Sequence, residues 1–191
     1  TFVAIDVSNS MSVAATGNRG SATSKVTCVD VAALFGASIL RVNRGAEVLI
    51  FSGHYHGGKT LNPRDTVITN ANLIRKEMAV STGTACSVPL RELNGRDAKG
   101  DLFVLISDNQ SWSDNGTFSR GSTEPVGLRE GTPLMVEWAT FRRRNPKARM
   151  VCLDIAPYAT TQAVDREDIL QVGGFSDNVF KIVADFAAGR L

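Results

Sequence analysis

Runs of apolar residues recur along the chain at intervals that suit buried strands. Four such runs are strong, at residues 2–7, 46–51, 101–108 and 149–155. Because their apolar positions are mostly continuous and do not alternate with polar ones, they are typical of strands covered on both faces, as in parallel sheets. Residues 54–61 form a weaker candidate, and the Gly57-Gly58 pair within it predicts an edge hairpin.

Segments with the helical spacing of apolar residues separate these runs. Thr27 is a suitable cap for the first helix, whose predicted inward face includes Leu34 and Val42. Asn70 or Asn72 is the predicted cap of the second helix, which should run to about residue 80. The predicted helices cover about residues 29–42, 70–80, a short stretch beginning at 87, 133–144 and 176–189.

This alternation of strands and helices predicts an α/β fold. We expect a three-layer, Rossmann-like sandwich whose central sheet is doubly wound and mostly parallel, with one antiparallel edge strand. The length suits a single domain over residues 1–191. In such sheets ligands bind beyond the carboxyl ends of the strands, so the polar residues that follow the apolar runs are the first candidates for function.

Composition narrows the class of protein. Of the residues, 43% are hydrophobic and 21% are charged, as in an ordinary globular domain, and no apolar stretch approaches the ~20 residues of a membrane helix. The net charge of +2 by itself implies no polyanionic partner. Cys28, Cys86 and Cys152 are widely spaced and predict buried free thiols in a reducing compartment, hence a cytoplasmic location. The chain opens directly on a strand without Met, so we expect it to be a piece of a longer protein.

One set of polar residues carries the chemistry. Asp6 ends the first apolar run, and Ser8 and Ser10 follow it at a spacing of two. Thr84 lies in a tight loop of small residues, and Asp108 ends the run at 101–108. Both acids emerge at the same edge of the predicted sheet, so all five residues can converge. Two carboxylates and three hydroxyls form an oxygen-only ligand set that suits Mg²⁺ or Mn²⁺ and leaves the ion able to accept an acidic group of a protein partner.

The same residues resemble the metal-ion-dependent adhesion site, or MIDAS, of von Willebrand factor A (vWA) domains. Those domains carry an Asp-x-Ser-x-Ser motif after the first strand, a threonine in a later loop and an aspartate after a further strand. Asp6, Ser8, Ser10, Thr84 and Asp108 match these positions in order. The resemblance implies a vWA fold and a single bound divalent ion, with some ligands, Asp108 above all, acting through water.

Longer stretches resemble the C-terminal vWA domain of Ro ribonucleoproteins, the TROVE family. They are TFVAIDVSNSM at 1–11, GTACSVPL at 83–90, FVLISDN at 103–109 and DREDILQVGGF at 165–175. The resemblance implies a parent RNA-binding protein of small-RNA quality control or stress response, in which a ring of helical repeats binds small noncoding Y RNAs. Ala85 departs from the pattern, since an aspartate is expected there, and the helical ring is absent from this chain.

Other interpretations of the acid and hydroxyl set stay open. Asp and Ser favour turns, so the motif is also compatible with a turn that binds no metal or binds it weakly. Asp6 is alternatively a nucleophile in a metal-dependent phosphate-ester hydrolase, although Ser8 stands where such enzymes carry a second acid. A vWA scaffold in a complex unrelated to RNA is a further alternative. The leading hypothesis is ligand binding without catalysis.

Two features lie outside the set. His54 and His56 share one face if their segment is a strand, which would provide half of a metal site or, more simply, a solvated edge. Trp112 lies in the long polar stretch at 109–131 and is expected either to pack on the domain or to contact a partner.

A basic cluster ends the predicted helix at 133–144. Arg142, Arg143 and Arg144 are followed by Lys147 and Arg149. Basic residues at this position complement the negative end of the helix dipole. The alternative is a patch that contacts RNA phosphates or another partner.

Overall fold

The computed structural model describes residues 1–16, 25–57, 61–78, 83–108, 132–156, 163 and 166–191. Within them lie five strands, five α-helices and one 3-10 turn, at Asn9–Ser12. The strands are β1 (Phe2–Asp6), β2 (Glu47–Phe51), β3 (Leu102–Ser107), β4 (Arg149–Asp154) and β5 (Ile169–Gly173). The helices are α1 (Cys28–Val42), α2 (Val67–Arg75), α3 (Val88–Gly95), α4 (Pro133–Arg144) and α5 (Asn178–Ala187).

The five strands form one sheet in the order β2-β1-β3-β4-β5, and every neighbouring pair is parallel. The chain moves from β1 outward to β2 and then returns to place β3 on the other side of β1. The strand order therefore reverses between β1 and β3. Ligands of open α/β sheets bind at the carboxyl ends of the strands at such a switch point, and that is where Asp6 and Asp108 lie.

Two hydrophobic cores cover the two faces of the sheet. Residues of α1, α2 and α5 pack with alternate strand positions such as Val3 and Ile5 on one face. Residues of α3 and α4, with Trp138 fully buried, pack with Phe2 and Ala4 on the other. Burying one large apolar side chain contributes about 1.5–3 kcal/mol, so the continuous apolar runs stabilise both layers. The predicted three-layer α/β sandwich is confirmed.

Helix α1 approaches strand β1 closely because of a glycine. Thr27 caps the helix as expected, and Thr27 and Asp30 satisfy each other's backbone N–H groups. At Gly36, however, an added Cβ would lie 2.2 Å from Ile5 Cδ1. The close contact turns the small residues of the helix toward β1, so the predicted inward face was wrong in part. Leu34 is 38% exposed and Val42 is 85% exposed.

Three other details differ from the sequence-based expectations. Helix α2 begins after Thr66, whose hydroxyl accepts from Thr69 N at 3.0 Å, whereas Asn70 is buried and its amide donates to the Asn62 carbonyl at 2.8 Å. Strand β5 was not predicted, since its edge position leaves most of its residues half-buried. The expected antiparallel edge strand over 54–61 is not seen in the described part of that segment, which makes one antiparallel bridge, between Phe51 and Tyr55.

None of the helices in the described ranges is long and apolar enough to cross a membrane.

Gly36 offers a test of the close helix-to-strand packing. Valine at this position would clash with Ile5, and overpacking of this kind costs about 1–3 kcal/mol. We expect Gly36→Val to lower the free energy of unfolding by that amount in urea titrations. Gly95→Val is the control, because a Cβ at Gly95 meets no atom within 4 Å, and it should change stability by less than about 0.5 kcal/mol. An equal loss in both variants would contradict this account of the packing.

Candidate metal centre

The five predicted ligands come together at the carboxyl edge of the sheet. Asp6 is the last residue of β1, and Asp108 follows the adjacent strand β3. Ser8 lies just before the 3-10 turn that follows β1, and Ser10 lies within that turn. Thr84 lies between α2 and α3. Asp6, Ser8, Thr84 and Asp108 are buried, with 0–1% exposure, while Ser10 is half-buried. Four of the predicted ligands are therefore enclosed, and the fifth lies at the mouth of the candidate site.

Hydrogen bonds fix both oxygens of the Asp6 carboxylate. The Ser8 backbone N–H donates to Asp6 Oδ1 at 2.8 Å. The Ser107 hydroxyl donates to Asp6 Oδ2 at 2.8 Å. Ser107 is the last residue of β3, so this bond joins the ends of the two central strands. The carboxylate is held in one orientation before any ligand arrives.

The three hydroxyl groups form a chain. Thr84 Oγ1 donates to Ser8 Oγ at 2.7 Å, and Ser8 Oγ lies 3.1 Å from Ser10 Oγ. These contacts bring a residue 76 positions away in sequence onto the turn after β1. The hydroxyl oxygens thus line one side of a site whose other sides carry the two carboxylates.

The electrostatics of the site favour a cation. Burial raises the pKa of Asp6 to about 6, the hydrogen bonds from Ser8 and Ser107 oppose that rise, and the charge of Asp108 adds to it. Among the described residues, no positive side chain contributes to the pKa of Asp6. A buried carboxylate without a compensating charge costs several kcal/mol, and two of them repel each other. The residues present therefore fit a divalent ion.

The donor set also indicates the kind of metal. The described ranges contain no group of three or more His, Cys, Asp or Glu side chains that could hold an ion. What converges here is two carboxylates and three hydroxyls, all oxygen, which are ligands of hard cations such as Mg²⁺ and Mn²⁺ and poor ligands of softer ones. That these five residues bind metal stays a prediction.

The end of β2 holds the loop that carries Thr84, a contact that the sequence did not predict. The Ala85 backbone N–H donates to the Ser52 carbonyl at 3.0 Å. Ser52 is itself buried, and its hydroxyl lies 2.8 Å from His56 Nε2. His56 stacks on His54 with ring centroids 4.6 Å apart, and burial lowers the pKa of His56. The histidine pair therefore supports the loop.

Ser52 and Ser107 were missed although the sequence carries a signal for both. Each is a polar residue at the carboxyl end of a buried apolar run. That is the same position that singled out Asp6 and Asp108. Hydroxyl side chains at strand ends are common enough in turns that only the fold shows which of them face the site.

The arginine cluster lies away from this edge. Helix α4 ends where β4 begins, which places Arg142, Arg143 and Arg144 near the amino ends of the strands. Arg142 forms an ion pair with Asp168 at 2.7 Å, and Arg144 donates to Asn94 Oδ1 at 2.5 Å. The arginines do not join the candidate metal centre. Trp112 lies outside the described residues.

The three cysteines are buried free thiols, as predicted. Burial raises the pKa of Cys152 to about 12 and, with the charges of Asp108 and Asp154, that of Cys28 to about 11. Such thiols are protonated at neutral pH when no metal is bound.

Comparison with known proteins identifies the fold. A family model, the Ro60 vWA domain, matches residues 1–120. The crystal structure of the Deinococcus radiodurans Ro (RSR) protein superposes with a TM-score of 0.71 at 22% identity, covering 100% of this chain and 34% of that one. The chain thus spans about a third of that protein. No curated protein sequence matches.

Two further structures share the fold at lower similarity. An aerotolerance-related membrane protein from Bacteroides fragilis, carrying multiple mutations to serine, gives a TM-score of 0.55 at 11% identity and 98% coverage of each chain. Proximal thread matrix protein 1 from the mussel byssus gives 0.54 at 15% identity, covering 97% of this chain and 46% of that one. At these identities the likeness shows the fold alone.

Neutralising Asp6 tests whether the burial of its charge, together with repulsion from Asp108, destabilises the metal-free domain. Asp6→Asn keeps the shape of the side chain. The Oδ1 atom of the new asparagine can still accept from the Ser8 N–H, and its amide group can donate to the Ser107 hydroxyl. Each unit of raised pKa corresponds to about 1.4 kcal/mol. In EDTA at neutral pH we therefore expect the free energy of unfolding to rise by about 1–3 kcal/mol. Urea titration measures it.

The matched control is Asp101→Asn, which neutralises an exposed carboxylate at the other end of β3. It should leave stability unchanged within about 0.5 kcal/mol. A clear loss of stability for Asp6→Asn in EDTA would contradict the electrostatic account of the site.

Proposed function

The chain belongs to the Ro60 vWA domain family, and we propose that it is the metal-dependent ligand-binding domain of a Ro-like RNA-binding protein. The observation that carries the proposal is the convergence of two buried carboxylates and three linked hydroxyls at the switch point of the sheet. No basic side chain in the described ranges contributes to the pKa of Asp6. A divalent cation is the simplest partner for such a set.

In this proposal one Mg²⁺ or Mn²⁺ is held by Asp6, Ser8, Ser10, Thr84 and Asp108, with Asp108 acting directly or through water. Because hydroxyl ligands add no charge, the two carboxylates balance the double positive charge of the ion and do not exceed it. When bound, the ion supplies a Lewis-acidic position for one more oxygen ligand. Ser10 is the half-buried member of the set, so an incoming group would reach the site from its side.

The group that completes the site is proposed to be a carboxylate of a protein partner. A carboxylate is a hard oxygen donor and carries the charge that an ion with few acidic ligands attracts. The partner residue acts by binding, and no bond is made or broken. The buried Asp6 accepts hydrogen bonds at both oxygens, which makes it a poor nucleophile and argues against the alternative of a phosphate-ester hydrolase.

Binding of small noncoding RNA, such as Y RNA, is proposed for the parent protein. The chain covers 34% of the Deinococcus Ro protein, so most of such a parent would lie outside it. A cytoplasmic location is part of the proposal and is supported by three free, buried cysteines, which suit a reducing compartment.

Titration calorimetry of Mg²⁺ and Mn²⁺ into the EDTA-treated, dialysed chain tests the metal site. We expect saturable one-site binding that is abolished in Asp6→Asn and weakened at least tenfold in Thr84→Val, which removes the hydroxyl but keeps the shape of the side chain. Ser12→Ala is the control, because Ser12 lies in the same turn but is exposed, and its hydroxyl donates to the Asn9 carbonyl. It should bind metal like the unaltered chain.

No binding by the unaltered chain, or equal binding by Asp6→Asn, would overturn the proposed site. With metal bound, titration of a short peptide that contains one aspartate and has an amidated C-terminus tests the acidic ligand. The same peptide with asparagine in place of aspartate should not bind. Turnover of p-nitrophenyl phosphate that is lost in Asp6→Asn would instead favour the hydrolase.

A further inference from the structure

A second polar cleft opens at the amino edge of the sheet, opposite the metal centre. It lies between the end of α4, the starts of β4 and β5 and the end of α5, and its volume is about 510 Å³. Volumes of about 300–1,000 Å³ are usual for ligand clefts. Its lining includes four basic side chains, Arg142, Lys147, Arg149 and Arg166.

The acidic residues of the cleft do not balance these charges. Glu167 and Asp168 are the two carboxylates in the lining. Asp168 is shared, since Arg142 lies 2.7 Å from its Oδ2 and Arg166 lies 2.9 Å from its Oδ1. Among the described residues that line the cleft, four positive groups thus face two negative ones, an excess of two positive charges.

Within the described ranges, the groups that hold the Arg149 side chain are neutral. Its Nη1 donates to the Phe186 carbonyl at 2.7 Å, and its guanidinium lies over the Phe186 ring, 5.0 Å from the centroid. Gly189, at φ +71°, ends the turn after α5, and a Cβ there would lie 3.1 Å from Arg149 Nη2. A guanidinium has five N–H donors, and the hydrogen bond to the Phe186 carbonyl uses one of those on Arg149. The side chain is fixed, charged and still able to donate.

Lys147 adds a charge on the open side of the cleft. It is exposed, and no described carboxylate forms an ion pair with it. A fixed guanidinium that presents several donors, together with a mobile ammonium, is the combination that recognises phosphate oxygens in proteins.

We propose that this cleft binds phosphate groups, either as free phosphate or as the phosphodiesters of a nucleic-acid strand. The site is independent of the metal centre, because its residues lie at the other end of the strands. Of the arginine triplet, Arg142 lines the cleft, while Arg143 donates to Thr140 and Arg144 faces Asn94 and Asp97. The phosphate ligands are therefore Arg142, Lys147, Arg149 and Arg166.

Two probes distinguish the sources of phosphate, both applied in EDTA so that the metal centre plays no part. Inorganic phosphate is titrated while ¹⁵N-labelled amide signals are followed by NMR. A fluorescein-labelled oligouridylate is titrated by fluorescence anisotropy at several salt concentrations. The variant is Lys147→Glu/Arg166→Gln, which changes exposed side chains and leaves Arg149 on Phe186. Lys76→Glu is the control, since Lys76 is an exposed lysine that caps the C-terminal end of α2, outside the cleft.

We expect phosphate to shift the signals of residues 147–149 and 187–189, and the double variant to weaken binding at least tenfold. The cleft is assigned to a nucleic-acid strand if oligouridylate binds more tightly than phosphate. In that case the slope of log K against log salt concentration should also fall by about one for each phosphate contact that the double variant removes. Equal affinities for the two probes assign it to single phosphates. If neither probe binds, or if Lys76→Glu weakens binding as much as the double variant does, the proposal is wrong.

Discussion

The burial of Asp6 and Asp108 at the ends of two adjacent parallel strands is the constraint around which this domain is organised. Neither carboxylate is exposed, and each lies close enough to affect the other. The ends of the strands compensate the charge of Asp6 in part, through the hydrogen bonds that the Ser8 N–H and the Ser107 hydroxyl donate to it. Such an arrangement is stable only because the apolar layers on both faces of the sheet stabilise it more than the charges destabilise it.

The site depends on precise backbone placement more than on its own side chains. Gly36 lets α1 lie against Ile5, the residue before Asp6, and Ser52 holds the loop of Thr84 through the Ala85 N–H. His54 and His56 pack at the same turn and bond to Ser52. The metal-ligand hypothesis thus rests on a frame of small residues and turns, which keeps the hydroxyls of Ser8, Ser10 and Thr84, from two separate segments, in a fixed arrangement.

The sequence predicted the four strongest strands and the convergence of the five polar side chains at one sheet edge, because both follow local rules. A continuous apolar run ended by an acid identifies β1 and β3 and, with them, Asp6 and Asp108. The sequence predicted less where tertiary contacts decide. Strand β5 is an edge strand with half-buried residues, α2 is capped by Thr66 because Asn70 turns inward to Asn62, and the inward face of α1 is set by the approach of Gly36 to Ile5. Ser107 could not be ranked above other strand-end serines until β1 and β3 were known to be neighbours.

The two edges of the sheet carry side chains of opposite charge, and helix dipoles account for part of this. In a parallel α/β fold the positive ends of the helices lie at the carboxyl edge of the sheet and the negative ends at the amino edge. Cys28 begins α1 close enough to Asp108 for that carboxylate to raise its pKa, while Arg142 and Arg149 donate to the Pro146 and Phe186 carbonyls near the ends of α4 and α5. Helix dipoles do not account for the other charges at the two edges. Asp6 accepts hydrogen bonds from a turn and from a strand end. At the opposite edge, the described hydrogen bonds of Lys147 and Arg166 involve no helix carbonyl. The charges that the helices leave uncompensated are negative at the carboxyl edge and positive at the amino edge. They are the basis of the proposed cation site at the switch point and of the proposed phosphate site at the opposite end.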